Sequence, residues 1–429
     1  MNAFLERGRL LYQREYFSEA GEQFRQALAE NPDDAEAKSW LALALVGLKQ
    51  YAEATRLAQE AVHGSPDDEL SHYALAFVWR ERNYLQEALT AIRETVRLGP
   101  WDAANCSLEA QIHLDLRDWK ATLAAAERGL QIDPENIGCN NLRSIALTKL
   151  GRGEDASAAM ESVLARNPEN AVSHATQGWN YLHGGKITPA LEHFREAMRL
   201  DPNDEWARSG IVEAMKARNP FYALMLKYFL WMGSLSGRAQ GMIIFGGYLG
   251  NRMLAGFATE NPSLALWVLP IRIAYGVFVV STWLASPLFN LLLRFDRFGR
   301  YALSRDQVVA TNWLGAALGL CALGLLGGAL TGFPMFWVTW AVVFGLLSLP
   351  LTSIFNASGG WRRVTLIGMT AGLFLIGLIA LAGWGFYALG TAEAATWEKI
   401  GSSFFTLFLI GIFVTMILTN FVIFQRGKK

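Results

Sequence analysis

The residues of this 429-residue chain whose types suit catalysis, metal ligation or anion binding are six histidines, three cysteines and two arginines set in apolar sequence. His63, His72, His113, His174, His183 and His193 all precede residue 217. None stands in the HExxH spacing that puts two imidazoles and a general base on one helix face. Cys106, Cys139 and Cys321 form no CxxC pair, so neither a disulfide framework nor a zinc site is indicated, and scattered thiols suit a reducing compartment. Beyond residue 217 there is no histidine for a serine–histidine protease. The apolar stretches there hold no Asp or Glu, which removes an aspartyl pair and the carboxylates that proton- or sodium-coupled carriers commonly use. No GxxxxGK(S/T) loop is present to cradle a nucleotide. The expectation is a non-enzyme with no catalytic set, no metal and no cofactor. Arg252 and Arg272 remain. They flank residues 259–263 at similar distances, roughly 10–14 Å at the rise of a helix. Either they share an anion such as a lipid phosphate, or each side chain snorkels to the headgroups.

The elements that carry these residues differ sharply between the halves. Residues 1–216 hold 23 Lys/Arg against 33 Asp/Glu, and residues 217–429 hold 15 against 5, so a net charge of zero hides −10 and +10. The half that looks soluble is acidic, which argues against a nucleic-acid partner. The N-terminus MNAFLERGRLLYQ lacks the apolar run and cleavage site of a signal peptide.

Prolines at 32, 66, 100, 134, 168 and 202 are 34 residues apart. In the same phase, position 8 reads Gly8, Ala42, Ala76, Ala110, Ser144, Gly178, and position 20 reads Ala20, Ala54, Ala88, Thr122, Ala156, Ala190. Position 27 reads Ala27, Ala61, Thr95, Gly129, Val163, Ala197. Small residues at these places let two antiparallel helices approach, and the proline falls where the second has ended. Residues 1–204 therefore resemble the tetratricopeptide repeat family, with six repeats and a capping helix completing residues 1–217. Repeat 5 departs most, at Val163 and Gly153, and should pack more loosely.

The resemblance implies a superhelix whose concave face is lined by positions 5, 9 and 12 of each first helix. Carried onto this chain, the groove includes Tyr12, Leu43, Tyr73, Phe77, Arg80, Gln111, Asn141 and Trp179. The Lys/Asn/Arg clamp of the family's chaperone-binding members is absent. The groove is instead apolar and aromatic, which suits an extended or helical peptide. The same side chains could also simply fill a narrow groove.

The second half is expected to be a helical membrane bundle, making the whole chain all-α. Residues 307–361 contain no charged residue, a run of 55, where a bilayer core needs about 20 residues per helix. Six spans are expected, near 239–258, 264–291, 311–331, 334–353, 364–389 and 400–424, with residues 218–238 as an interfacial helix or linker. The span at 239–258 is the weakest, because Asn251 and Arg252 interrupt it. In this scheme one side carries 12 cations, among them Arg294, Arg297, Arg300, Arg305, Arg362 and Arg363, and the other carries Lys399 alone. Positive residues favour the inside, so both termini and the array should be cytoplasmic. Gly315/Gly319, Gly324/Gly328 and Gly368/Gly372 offer small helix faces for packing within the bundle or for a homo-oligomer seam.

The whole chain is similar to bacterial multi-pass membrane proteins with an N-terminal tetratricopeptide array. That resemblance implies an inner-membrane location and gives no activity. The expected function is a membrane scaffold that recruits a cytoplasmic protein through the groove and contacts membrane lipids. The alternative is a transporter or lipid-handling protein with a regulatory array, its path lined by Arg272, Asn290, Asn312 and Asn356.

Overall fold

The computed structural model describes residues 2–235, 237–295, 303–332, 334–357, 360–390 and 393–424. The described residues form helices and no strand. They divide into two compact units, one built on Met1–Ile211 with Leu230–Gly237, the other on Val212–Phe229 with Arg238–Arg426.

The first unit is a run of helix pairs from α1 (Ala3–Gln13) and α2 (Phe17–Glu30) to α11 (Ala171–His183) and α12 (Ile187–Leu200). Each start is capped at one repeat position: Asp34, Asp68, Asp102, Asn136 and Asn170 each accept from a backbone N–H of the following turn. The small residues do the packing expected of them. Ala20, Ala42, Ala54 and Ala76 are fully buried, and a Cβ on Gly8 or Gly178 would lie 2.5 or 2.6 Å from the ring of Phe24 or Phe194. Between the two helices of every pair, one residue takes a left-handed backbone: Glu15, Lys49, Asn83, Arg117, Gly151 and Gly185, with φ from 59° to 81°. The next residue closes the helix end, as when Tyr16 N–H donates to Leu11 O at 3.0 Å and Lys186 N–H to Tyr181 O at 2.8 Å. In repeat 5 a pocket of 290 Å³ opens beside Val163 and Asn140, and a Cβ on Gly153 would meet open space.

The capping helix α13 (Glu205–Lys216) begins in the first unit and ends in the second. Beyond it lie α14 (Pro220–Ser234), α15 (Gly237–Glu260), α16 (Pro262–Leu293), α17 (Arg305–Thr331), α18 (Met335–Asn356), α19 (Trp361–Ala388) and α20 (Ala394–Phe424). Among the described residues, four helices are long and apolar enough to cross a membrane: Arg305–Thr331, Met335–Phe355, Trp361–Ala388 and Ala394–Thr419. Segments Ser263–Val279 and Leu284–Leu293 form a pair bent by 62°, which makes up to five. The bend has a cause in sequence, because the Pro287 ring clashes with the carbonyl four residues earlier. α15 does not join this set; Arg238, Asn251, Arg252, Glu260 and its glycines dilute its apolar surface.

Helices α17 and α18 form a hairpin, and so do α19 and α20. A Cβ on Gly324 would lie 2.8 Å from the Ala341 nitrogen, and one on Gly383 would lie 2.5 Å from the Gly401 nitrogen, so glycine permits both approaches. The spacing of glycines foresaw the first contact and not the second. Gly319, Gly368 and Gly372 face open space. Leu323, Leu325, Leu326 and Leu330 are at least half exposed in the isolated chain, an apolar surface of the kind that lipid covers. Ser304 caps α17 in a reciprocal box with Gln307. Residues 296–302, with Arg297 and Arg300, lie outside the described residues.

Candidate functional site

The first helices of repeats 1 to 4 bring part of the expected groove together. Tyr12 stands edge-on to Phe17 and Trp40, with 5.5 Å between ring centres in each case. Burial, with Tyr73 nearby, pushes its phenol up to about 12. Phe77 is half-buried and packs against two clusters, one holding Leu41, Leu45 and Val46 and the other Ile92, Leu108 and Ile112. It thus bridges neighbouring repeats. Tyr73 packs on the second cluster; its phenol is raised by burial and by Asp102, and Arg80 opposes that shift. Arg80 is fixed by Asp115 of the next repeat, Nε to Oδ2 at 2.9 Å, and by Glu81 at 3.0 Å. Gln111 is half-buried one turn before Asp115 on α7 (Ala103–Asp115).

Three other residues named for the groove have different surroundings. Leu43 is buried at 2 % exposure and fills the interior. Asn141 is also buried, and its Oδ1 has no partner among the described residues. Trp179 stacks on Trp206 of the capping helix at 6.1 Å and stands edge-on to Phe194 at 5.5 Å, so it closes the last repeat.

Sequence reading missed the polar contacts between repeats. Thr148 donates to Asn180 Oδ1 at 2.8 Å, and Asn180 Nδ2 donates to Ser144 at 2.7 Å and to Gln177 at 3.1 Å. Lys149 Nζ lies 3.3 Å from His183 Nε2. Burial, reinforced by Lys149, drives the His183 imidazole down to about 3, so it is neutral and accepts from the lysine. His174 and His193 face each other through Nδ1 at 3.0 Å. His174 Nε2 lies 3.0 Å from Pro168 O and donates to it, because a carbonyl oxygen only accepts.

In the second unit the missed feature is Lys216, whose side chain is 1 % exposed. Its Nζ reaches Glu213 at 2.8 Å, Ser286 of α16 at 3.2 Å and Tyr222 at 3.4 Å. The Tyr222 hydroxyl donates to the other Glu213 oxygen at 2.5 Å. Burial pushes the lysine down and the tyrosine up. A lysine at the last position of an amphipathic helix reads as solvated, so only the fold reveals it.

Arg252 and Arg272 are both exposed on their helices, which touch where Tyr275 lies 3.5 Å from the Cβ position of Gly247. Of the polar groups named for a transport path, Asn290 is buried with its Oδ1 unpaired among the described residues. Asn312 is exposed and accepts from Arg294. The Asn356 side chain lies outside the described residues.

The 34-residue pairs, their capped starts and their small-residue contacts define a tetratricopeptide repeat region. The tetratricopeptide repeat family model matches residues 5–69 and 142–205. The chain is 23 % identical over 217 residues to DnaJ homolog subfamily C member 7 of Mus musculus, covering 48 % of this chain and 44 % of that protein. The human counterpart matches at 23 % over 216 residues. The chain thus spans less than half the length of these curated relatives. Among solved structures, YrrB, described as a TPR protein with an unusual peptide-binding site, matches 44 % of this chain and 96 % of its own, with TM-score 0.34 and 19 % identity. A tetratricopeptide repeat protein from Parabacteroides merdae matches 54 % and 89 %, with TM-score 0.42 and 11 % identity.

Proposed function

We propose that this chain is a membrane-embedded scaffold. Its repeat array holds a protein partner by an extended or helical segment, and its bundle fixes that partner at the membrane. The observation that carries the reading is the patch of Tyr73, Phe77 and Arg80. Aromatic rings and an arginine, half-buried and positioned by neighbouring repeats, are the composition of a binding hot spot. The −10 charge of residues 1–216 favours a segment with basic flanks around its apolar anchors. The charge asymmetry of the second half supports cytoplasmic termini, an inner-membrane location and a sixth span at 239–258. Arg252 and Arg272 then lie toward the opposite leaflet, where an anionic headgroup can meet them.

The test uses the full chain, solubilised from membranes, as bait for proteins of the same cell. Phe77→Ala should weaken retention of a specific partner by ~2 kcal/mol or more while leaving the helix signal in circular dichroism unchanged. Unchanged retention per folded molecule would make Phe77 a packing residue only.

A further inference from the structure

We propose that the bundle binds one anionic phospholipid in a groove floored by α18, with an acyl chain along the floor and the phosphate at Arg363. The proposal rests on the membrane reading above and is independent of the peptide groove. The groove encloses about 680 Å³, within the ~300–1,000 Å³ usual for small-molecule sites. Phe344, Leu347 and Ile354 of α18 form its floor. Its walls are α17 and α19, and the space exists because Ala316 and Ala371 stand there in place of larger side chains. The lining is otherwise apolar, with Thr370 as an internal exception whose hydroxyl is already spent on Leu366 O at 2.7 Å. A void of this kind in a bilayer leaves its walls without dispersion partners unless hydrocarbon fills it.

The charge at one end selects the headgroup. Arg363 is the only charged residue lining the groove among the described residues. Its guanidinium lies 5.1 Å from the Phe355 ring centre, which holds it over the groove mouth. Its acidic contact, Asp306 at 3.5 Å, is long, more than half exposed and uses one of five N–H groups. The rest can pair with phosphate oxygens in the bidentate geometry that arginine favours. Beside it, Arg362 lies 5.7 Å from the ring of exposed Trp361, an aromatic and cation pair of the type found at headgroup level. From Arg363 to Phe374, the far end of the same wall, is eleven residues, or ~16 Å of helix. That is about half of a ~30 Å core, so the groove is one leaflet deep.

The experiment is native mass spectrometry of the full chain with synthetic palmitoyl-oleoyl phosphatidylglycerol or phosphatidylcholine. Retention of the chain in carbonate-washed membranes is measured first, so that failure to embed is read separately from failure to bind. Wild type should retain one phosphatidylglycerol and prefer it to phosphatidylcholine by about tenfold, ~1.4 kcal/mol. Arg363→Gln should abolish the preference while both lipids still bind. Ala316→Leu and Ala371→Phe, filling the groove from opposite walls, should reduce retention of both lipids, and either one that folds suffices. Lys399→Gln, exposed on α20 and outside the groove lining, should keep the preference. Equal retention of the two lipids by wild type, a preference that survives Arg363→Gln, or undiminished binding in a folded groove-filled variant would overturn the proposal.

Discussion

Acidification should loosen the last repeats through one histidine. His183 is held near 3 in the folded chain against an ordinary 6.5, because it is buried and faces Lys149. Its folded value is depressed, so its contribution to stability is complete above 6.5 and is lost as pH falls from there toward 3. Within that window the unfolded chain binds a proton that the folded chain refuses. Two pH units below 6.5, at pH 4.5, the loss is about 3 kcal/mol. The assay is hydrogen exchange of α11 peptides in the solubilised full chain, corrected for the intrinsic pH dependence of exchange. Protection in α11 should fall roughly a hundredfold between pH 7 and 4.5. His183→Gln keeps an acceptor for Lys149 without the titration, so its protection should change far less over the same range. Parallel pH profiles for wild type and His183→Gln would refute the burial argument.

Other outcomes follow from the same geometry. Lys216→Met leaves the Glu213 carboxylate with Tyr222 alone and should lower stability by about 2–4 kcal/mol in thermal or chemical unfolding; adding Glu213→Gln should recover most of it. Arg117→Gly relieves a left-handed backbone at φ 59° and should stabilise the array by about 1 kcal/mol, whereas the same change at a right-handed helix position, Arg128, should destabilise it by a similar amount. Cysteines placed at Ser304 and at position 391 should be labelled from opposite sides of intact cells, with position 391 outside.

The array was legible because its constraint repeats. A 34-residue period in proline and small residues can arise only if each helix pair meets the next in the same way, and Ala42, Ala54 and Phe24 are buried as that demands. The left-handed position was not legible, since four of its six occupants are not glycine and nothing in Glu15 or Arg117 announces it. At the expected groove positions the repeat period places Phe77 against clusters of two neighbouring repeats and Arg80 beside Asp115 of the next one. It does not encode Trp206, the stacking partner that α13 brings to Trp179. In the second unit hydropathy marks the helices but not their contacts. The Gly383–Gly401 approach, the Lys216 network and the Arg363 groove each join residues from different helices, and no spacing along one helix encodes them.

The central claim is that a membrane-embedded chain holds a protein in the concave patch of its array. Photo-crosslinking in intact cells tests it most directly, with benzoylphenylalanine placed in turn at Phe77, at Gln111 and at the exposed loop residue Trp101. The account predicts adducts with one protein from positions 77 and 111, recovered in the membrane fraction, and none with that protein from position 101. Adducts from all three positions alike, or none from position 77 in chain that is embedded and folded, would contradict it.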